Sequence, residues 1–161
     1  MNTEQVTLLM LKPDCVRKNL ENEILNYILS SLNVHVIARS TVTVNADQIL
    51  KHCEGFIKKQ GTKVEQLIKE MYVGNQVIIY LVKGENALIR VRDLVGYSDP
   101  SKAKEHTIRW KFSNDSFERA SQEKRLVHNL IHCSDSLQAV KEEFDIWFPN
   151  GIIFENLLIQ L

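Results

Sequence analysis

The stretch Val6-Thr-Leu-Leu-Met-Leu-Lys-Pro-Asp14 is mostly apolar as far as Leu11 and then breaks abruptly. Proline has no N–H for a sheet ladder, so Pro13 predicts a strand that stops beside Lys12. From Leu20 to Leu32 the residues Leu20, Ile24, Leu25, Ile28, Leu29 and Leu32 recur three and four apart, the spacing of one helix face, with Asn19 as a candidate cap. Val34, Val36, Ala38, Val42 and Val44 then alternate as a strand does. Strand, helix and strand in this order make the first half of a repeating pattern.

The pattern continues downstream. Asn45-Ala-Asp-Gln48 has the form of a capping box, ahead of a helix with Ile49, Leu50, Cys53, Phe56 and Ile57 inward. Thr62 is a candidate cap for the next helix, which buries Val64, Leu67, Ile68 and Met71. Gln76–Val82 is rich in β-branched and aromatic residues and too short for an independent helix, so it predicts a central strand. A helix is expected over Gly84–Val95, stopped by Gly96, then a strand over Leu126–Ile131. Ser134-Asp-Ser136 can cap a last helix with Leu137, Val140, Phe144 and Trp147 on one face. Two βαβ halves in one antiparallel sheet predict an α/β (α+β) sandwich: the split βαβ arrangement of ferredoxin-like folds, with four strands and added helices. Such a sheet is expected to carry helices on one face, leaving the other face or the strand ends for a site.

Length and charge narrow the function. At 161 residues the chain has the length of one domain. Twenty basic residues balance twenty acidic ones, which removes the overall positive field that holds a polyanion, so nucleic-acid binding is not expected as a primary role. Anionic ligands then need a local cluster of cations. No apolar run approaches a membrane span, and Met1-Asn-Thr-Glu-Gln5 carries no basic leader, so no membrane association is expected. Cys15, Cys53 and Cys133 have neither disulfide parity nor zinc spacing, which fits a cytoplasmic protein with reduced thiols. Tyr97–Lys124 is polar and too long for a plain connection, the mark of a functional loop. Residues 1–149 read as the domain, with an extended loop at 113–125, and 150–161 as an apolar tail in search of a covering surface.

Chemistry concentrates in Asn129-Leu-Ile-His-Cys-Ser-Asp-Ser136, where an apolar run breaks at the start of a helix. Glu143 follows His132 by about three helical turns and reaches its ring if that helix folds back beside the strand. Lys12, Arg92 and Arg109 supply the local positive cluster that the neutral total permits.

Leu11-Lys-Pro-Asp14, Gly84-Glu-Asn-Ala87, Asp99-Pro100, His106-Thr-Ile-Arg109, Asn129-x-x-His132-x-Ser-Asp135 and Trp147-Phe-Pro149, in this order, resemble the nucleoside diphosphate kinases. The resemblance implies ping-pong transfer of a γ-phosphoryl group between nucleoside di- and triphosphates through a phosphohistidine. Mg²⁺ would be carried by the nucleotide phosphates, so no protein metal ligands are expected. It makes His132 the nucleophile, Glu143 the carboxylate that fixes its tautomer and Ser134 a helper. Lys12 would contact the ribose 3′-hydroxyl and γ-phosphate, Arg92, Ser98 and Arg109 the phosphates, and Asn129 the 3′-hydroxyl. It also implies a homo-oligomer, since the family forms hexamers, tetramers and some dimers.

Several positions depart from the family pattern. Cys53 stands where a tyrosine is usual, beside His52, and Val64 stands within a residue of the phenylalanine on which the base stacks. Stacking of a base on an aromatic ring is worth ~1–3 kcal/mol, so weak nucleotide affinity is expected. Cys133 follows the nucleophile where glycine is common in the family; a small thiol is expected simply to fit there, with strain if the position needs a positive φ and a redox-sensitive thiol as the alternative. Trp110-Lys111 replaces Gly-Asp, and the 113–125 loop is longer than in most members. These losses feed the alternative of a degenerate member that binds nucleotides or partners with little catalysis.

Overall fold

The computed structural model describes residues 3–149 and 152–159. Four strands, β1 (Glu4–Leu11), β2 (Val34–Thr43), β3 (Gln76–Glu85) and β4 (Ile131–Cys133), form one antiparallel sheet in the order β2-β3-β1-β4. β1 pairs β3 along its whole length, and β2 follows β3 with a bulge between Val36 and Ala38. The split topology is therefore the expected one. Helices, however, cover both faces. Along β1 the side chains of Leu8 and Met10 enter one cluster and those of Leu9 and Leu11 the other, because successive residues of a strand point to opposite faces. Strands that are apolar at consecutive positions need cover on both sides. The first cluster is closed by α3 (Ala46–His52), α5 (Thr62–Tyr72) and α9 (Leu137–Trp147), the second by α2 (Glu21–Ser31) and α6 (Ala87–Val95).

Local chemistry explains where the elements begin and end. Pro13 takes the first position of α1 (Pro13–Arg17), a short helix absent from the sequence reading. Asn19 does not cap α2; it links α1 to α2 in the left-handed conformation, φ 55°. The capping box at Asn45 and Gln48 is present, but the helix expected to run through Ile57 breaks at Cys53, and α4 (Glu54–Gln60) starts afresh with no buried residue. Gly61 rather than Thr62 precedes α5. Gly84 and Glu85 belong to β3 and not to a helix: a Cβ on Gly84 would lie 2.3 Å from the Asn33 carbonyl oxygen, where the entry to β2 crosses the strand.

The polar stretch 97–124 is organised. It holds a 3₁₀ turn (Pro100–Lys102), α7 (Ile108–Phe112) capped by Thr107, and α8 (Phe117–Gln122) capped by Ser116. The strand expected over Leu126–Ile131 is displaced, and β4 shares only Ile131 with it, because side chains capture the backbone before it: His128 N–H donates to Asp115 Oδ2 (2.7 Å), the Ser113 hydroxyl donates to the His128 carbonyl (2.6 Å), and Leu130 N–H donates to Asp14 Oδ2 (3.0 Å). In the tail, Phe154 of α10 (Phe154–Ile159) packs edge-on against Phe144 at 5.2 Å and so covers part of the first cluster. Among the described residues no helix is long and apolar enough to cross a membrane.

Asp115 is the staple of the extended loop. It is 5% exposed and accepts two bonds from Arg125, at 2.6 and 3.0 Å, besides that from His128. Burial alone would raise its pKa, but the bonds from Arg125, His128 and Ser116 prevail and hold it well below the usual carboxylate range. Stability from such a group is present above the unfolded carboxyl pKa of about 3.9 and is lost as pH falls through the folded value. Asp115→Asn is therefore expected to cost about 2 kcal/mol in urea unfolding at pH 7, with the difference from the native chain shrinking below about pH 4.

Candidate active site

His132 sits in the middle of β4, opposite Met10 of β1. Ser136 caps α9 through Ala139 N–H and turns the helix back along the strand, which brings Glu143 to the imidazole. The distance from His132 Nε2 to Glu143 Oε1 is 2.8 Å, and the Ser134 hydroxyl donates to Glu143 Oε2 at 2.5 Å. Burial opposes ionisation of Glu143, but the hydrogen bond from His132, with that from Ser134 adding to it, holds its pKa below the usual value. An ionised carboxylate only accepts, so His132 carries its proton on Nε2 and leaves Nδ1 as a free lone pair. His132 lines a cleft of about 950 Å³, within the usual range for small-molecule sites.

His52, at the end of α3, packs edge-on against His132 with ring centroids 4.6 Å apart. The Trp147 indole N–H donates to His52 Nδ1 at 3.2 Å, which places the His52 proton on Nε2. Burial above all, then the neighbouring His132, pulls its pKa down to about 3 despite Glu143, so the ring is neutral. His52, His132 and Glu143 bring potential metal-ligand atoms within 4.8 Å of one another. Those atoms are already engaged: an indole N–H occupies His52 Nδ1, and His132 and Ser134 each hold one oxygen of Glu143.

On the other side of the histidine, Lys12 is 8% exposed and donates from Nζ to Asn129 Oδ1 at 2.7 Å; Asn129 in turn donates from Nδ2 to the Ser98 carbonyl at 2.8 Å. Burial lowers the Lys12 pKa to about 8, with Arg109 assisting and Asp14 and Cys53 opposing. Between Asn129 and His132 the chain makes a γ-turn: Ile131 N–H donates to the Asn129 carbonyl at 2.8 Å around Leu130, whose φ is 73°. This is the strained sign of that turn. Arg109 spans it, donating to the carbonyls of Asn129 (3.2 Å), Gly96 (3.0 Å) and Ile131 (2.6 Å). Three of its five N–H groups are thus committed to backbone, leaving two for a ligand. Gly96, at φ 89°, must lack a side chain, since a Cβ there would meet Thr107 at 2.6 Å.

Among the residues singled out from the sequence, Arg92, Ser98, Arg109 and His132 line the cleft; Lys12 and Asn129 are bonded to each other beside it, and Ser134 and Glu143 support His132. Val64 does neither. It packs against the first core cluster, and Phe56, 46% exposed, lines the cleft instead. The helix break at Cys53 is the cause, because α4 restarts with only Ile57 against the core and leaves outward a ring that the uninterrupted pattern would have buried. Lys59, Lys102 and Lys104 also line the cleft, and as scattered surface lysines they gave no signal in the sequence.

Residues 5–153 match the family model described as nucleoside diphosphate kinase. A nucleoside diphosphate kinase of Clostridium perfringens is 30% identical over 152 residues, covering 94% of this chain and 95% of that protein. The chain belongs to the nucleoside diphosphate kinase family. Two solved structures agree. The family enzyme of Borrelia burgdorferi, described as a transition state mimic with bound vanadate and ADP, superposes with a TM-score of 0.84 at 25% identity, covering 92% of this chain and 89% of that one. An NDP kinase from Pyrobaculum aerophilum superposes at 0.78 with 27% identity, covering 92% and 97%.

Seen within the family, the cysteine substitutions are quiet. Cys133 is not in the left-handed region; Leu130 is. Burial pushes both the Cys53 and Cys133 thiols up to about 11, against the opposing pull of Lys12 on the first and of Arg109 and Arg92 on the second. A redox-sensitive thiol needs the reverse shift. The Glu143 contact is tested by long-range ¹H–¹⁵N correlation of His132: the native chain is expected to show a single Nε2–H tautomer, and Glu143→Ala a mixture of both.

Proposed function

We propose that this chain moves the γ-phosphoryl group of a nucleoside triphosphate to a nucleoside diphosphate through His132. The observation that carries the proposal is the 2.8 Å contact between Glu143 and His132 Nε2, which leaves Nδ1 as the nucleophile on the wall of a cationic cleft of nucleotide size. In the first half-reaction Nδ1 attacks the γ-phosphorus, the N–P bond forms, and the bond to the β-phosphate oxygen breaks with its electrons leaving on the diphosphate. The Nε2 proton stays in place, and the positive charge that develops on the ring is balanced by Glu143. In the second half-reaction a terminal oxygen of another nucleoside diphosphate attacks the same phosphorus and the N–P bond breaks.

Phosphoryl transfer asks the protein mainly for position and charge. Arg92 and the two remaining N–H groups of Arg109 bind phosphate oxygens, with Ser98 beside them. Lys12, held by Asn129, offers a charge from a desolvated site, where each interaction is stronger than in water. Asn129 and Lys12 together meet the ribose hydroxyl. Mg²⁺ held by the nucleotide phosphates would neutralise part of their charge. The cleft suits such a substrate-borne ion, since its wall carries Asp93 and Asp135 among several cations and no cage of oxygen ligands. The relative crystallised with vanadate and ADP supports the same use of the cleft.

Phe56 is the base platform in this reading, which removes the expectation of weak affinity drawn from Val64. A homo-oligomer is supported by β2, a ten-residue strand at the open edge of the sheet, and a reducing cytoplasmic setting by the three free cysteines.

Incubation with γ-labelled ATP and Mg²⁺ is expected to give an acid-labile phosphoenzyme that nucleoside diphosphate discharges. A native chain that never labels, or His132→Ala labelling equally well, would overturn the proposal. Phe56→Ala should raise KM for nucleotides by roughly tenfold, the equivalent of about 1.4 kcal/mol of lost stacking, whereas Val64→Ala should leave KM unchanged and act on stability.

A further inference from the structure

Asp14 is 2% exposed, yet the polar atoms around it satisfy only half of it. Its Oδ2 accepts from Leu130 N–H at 3.0 Å, while its Oδ1 is buried without a hydrogen-bond partner. A buried acceptor left unpaired costs about 1–3 kcal/mol. The residue sits in the first turn of α1, but that helix has only five residues and gains little from one acidic side chain.

The surroundings of the two oxygens supply a reason to keep it. Oδ2 holds the one residue of the 129–132 segment whose backbone is left-handed, Leu130 at φ 73°. A leucine has no preference for that conformation, and the neighbouring γ-turn bond is a weak constraint by itself. The same junction is closed from the other side by Lys12 N–H donating to the Leu130 carbonyl at 2.8 Å. Residues 12 and 14 therefore grip both backbone groups of Leu130, and the residues on either side of that grip are Asn129, which holds Lys12 Nζ, and Ile131, which leads into His132.

The carboxyl also lies close to Lys12, because both residues are anchored on the backbone of Leu130. Around that ammonium group lie Asp14 of α1, Arg109 of α7, and Cys53 and His52 at the end of α3. Arg109 repels it, the Cys53 thiol is pushed up to about 11, and His52 is neutral. Asp14 is the anion of the set. It makes no direct ion pair with Lys12, so the ammonium group stays free to bond Asn129 and a ligand.

We propose that Asp14 is a positioning residue of the reaction: its Oδ2 holds the strained turn that aims Asn129 and His132, and the same carboxyl, anchored with Lys12 on Leu130, serves that lysine as a counter-charge. The proposal rests on the kinase reading for its catalytic meaning, but its physical content does not require turnover.

The test therefore has two parts. Nitrogen-15 NMR of the lysine side chains, with Lys12 assigned by its loss in Lys12→Met, follows the Lys12 titration directly. Asp14→Asn keeps a carbonyl oxygen for Leu130 N–H and removes the charge. The Lys12 midpoint, near 8 in the native chain, is expected to fall by about one unit, the low end for loss of a nearby opposite charge. The alkaline limb of the rate of His132 phosphorylation should fall with it. Asp14→Ala also releases the turn, and should slow phosphorylation at pH 6.5, where Lys12 is charged in the native chain, by roughly 10²-fold, a scale set by misplacement of about 1 Å. Asp14→Asn should recover most of that loss.

An unchanged Lys12 midpoint in Asp14→Asn would overturn the counter-charge. A folded Asp14→Ala chain that labels at the native rate would overturn the turn-holding role, and if that variant does not fold, a loss of roughly 10²-fold at pH 6.5 in Asp14→Asn, which keeps the acceptor, would do so. Should the native chain not label at all, the kinase reading fails, while the NMR titration still decides the Lys12 part.

Discussion

Three residues of ladder between β1 and β4 decide where the chemistry of this protein happens. Leu9, Met10 and Leu11 pair with Cys133, His132 and Ile131, and that short contact fixes the proposed nucleophile against β1, which pairs β3 along its whole length. A three-residue strand cannot hold a strained approach by backbone bonds alone. The approach is held by side chains from three separate segments: Asp14 on the Leu130 N–H, Arg109 on the carbonyls either side of it, and Asp115 on His128. Strain at Leu130 persists because so many partners over-determine it.

The same arrangement sets the electrostatics. Lys12 and Arg109 are cations withdrawn from water, and burial lowers the pKa of both. Removing a charge from water costs stability, but the group then acts on a bound phosphate in a medium that screens it poorly. On the opposite side Glu143 keeps its charge because His132 and Ser134 bond to it, and His52 stays neutral beside it. The site is thus a cationic wall facing a ring backed by a single anion. A chain with no net charge can build this because local placement, and not the total, determines the field a phosphate meets.

Much of this was legible in the sequence, and what was not has physical causes. The strand ending at Lys12, the capping box at Asn45, the stop at Gly96 and the fold-back of Glu143 onto His132 all follow from local rules, because proline, capping side chains and helical periodicity act over a few residues. The misread positions depend on distant neighbours. Gly84 looks like a helix start until the Asn33 carbonyl is found against it, and Leu126–Leu130 has the composition of a strand while its backbone partners are side chains from residues 14, 113 and 115. Phe56 fits an uninterrupted apolar stripe; only the break at Cys53 exposes it, and a single cysteine announces no break.

The segment 113–125 shows how a loop can be anchored beside a candidate active site. The segment 113–125 leaves from the end of α7, whose Arg109 is tied to Gly96, Asn129 and Ile131, and it returns at Arg125, which is locked to Asp115. Both ends of the segment are therefore fixed by bonds that do not involve α8. Ser113 and Asp115 also bind His128 directly, so the start of the loop supports the approach to β4 rather than competing with it. Extra residues between two such anchors add little closure entropy, since that cost rises only with the logarithm of loop length. The chain can thus lengthen between residues 115 and 125 with no change in the path from Leu130 to His132, since the bonds that hold that path come from Asp14, Arg109, Ser113 and Asp115.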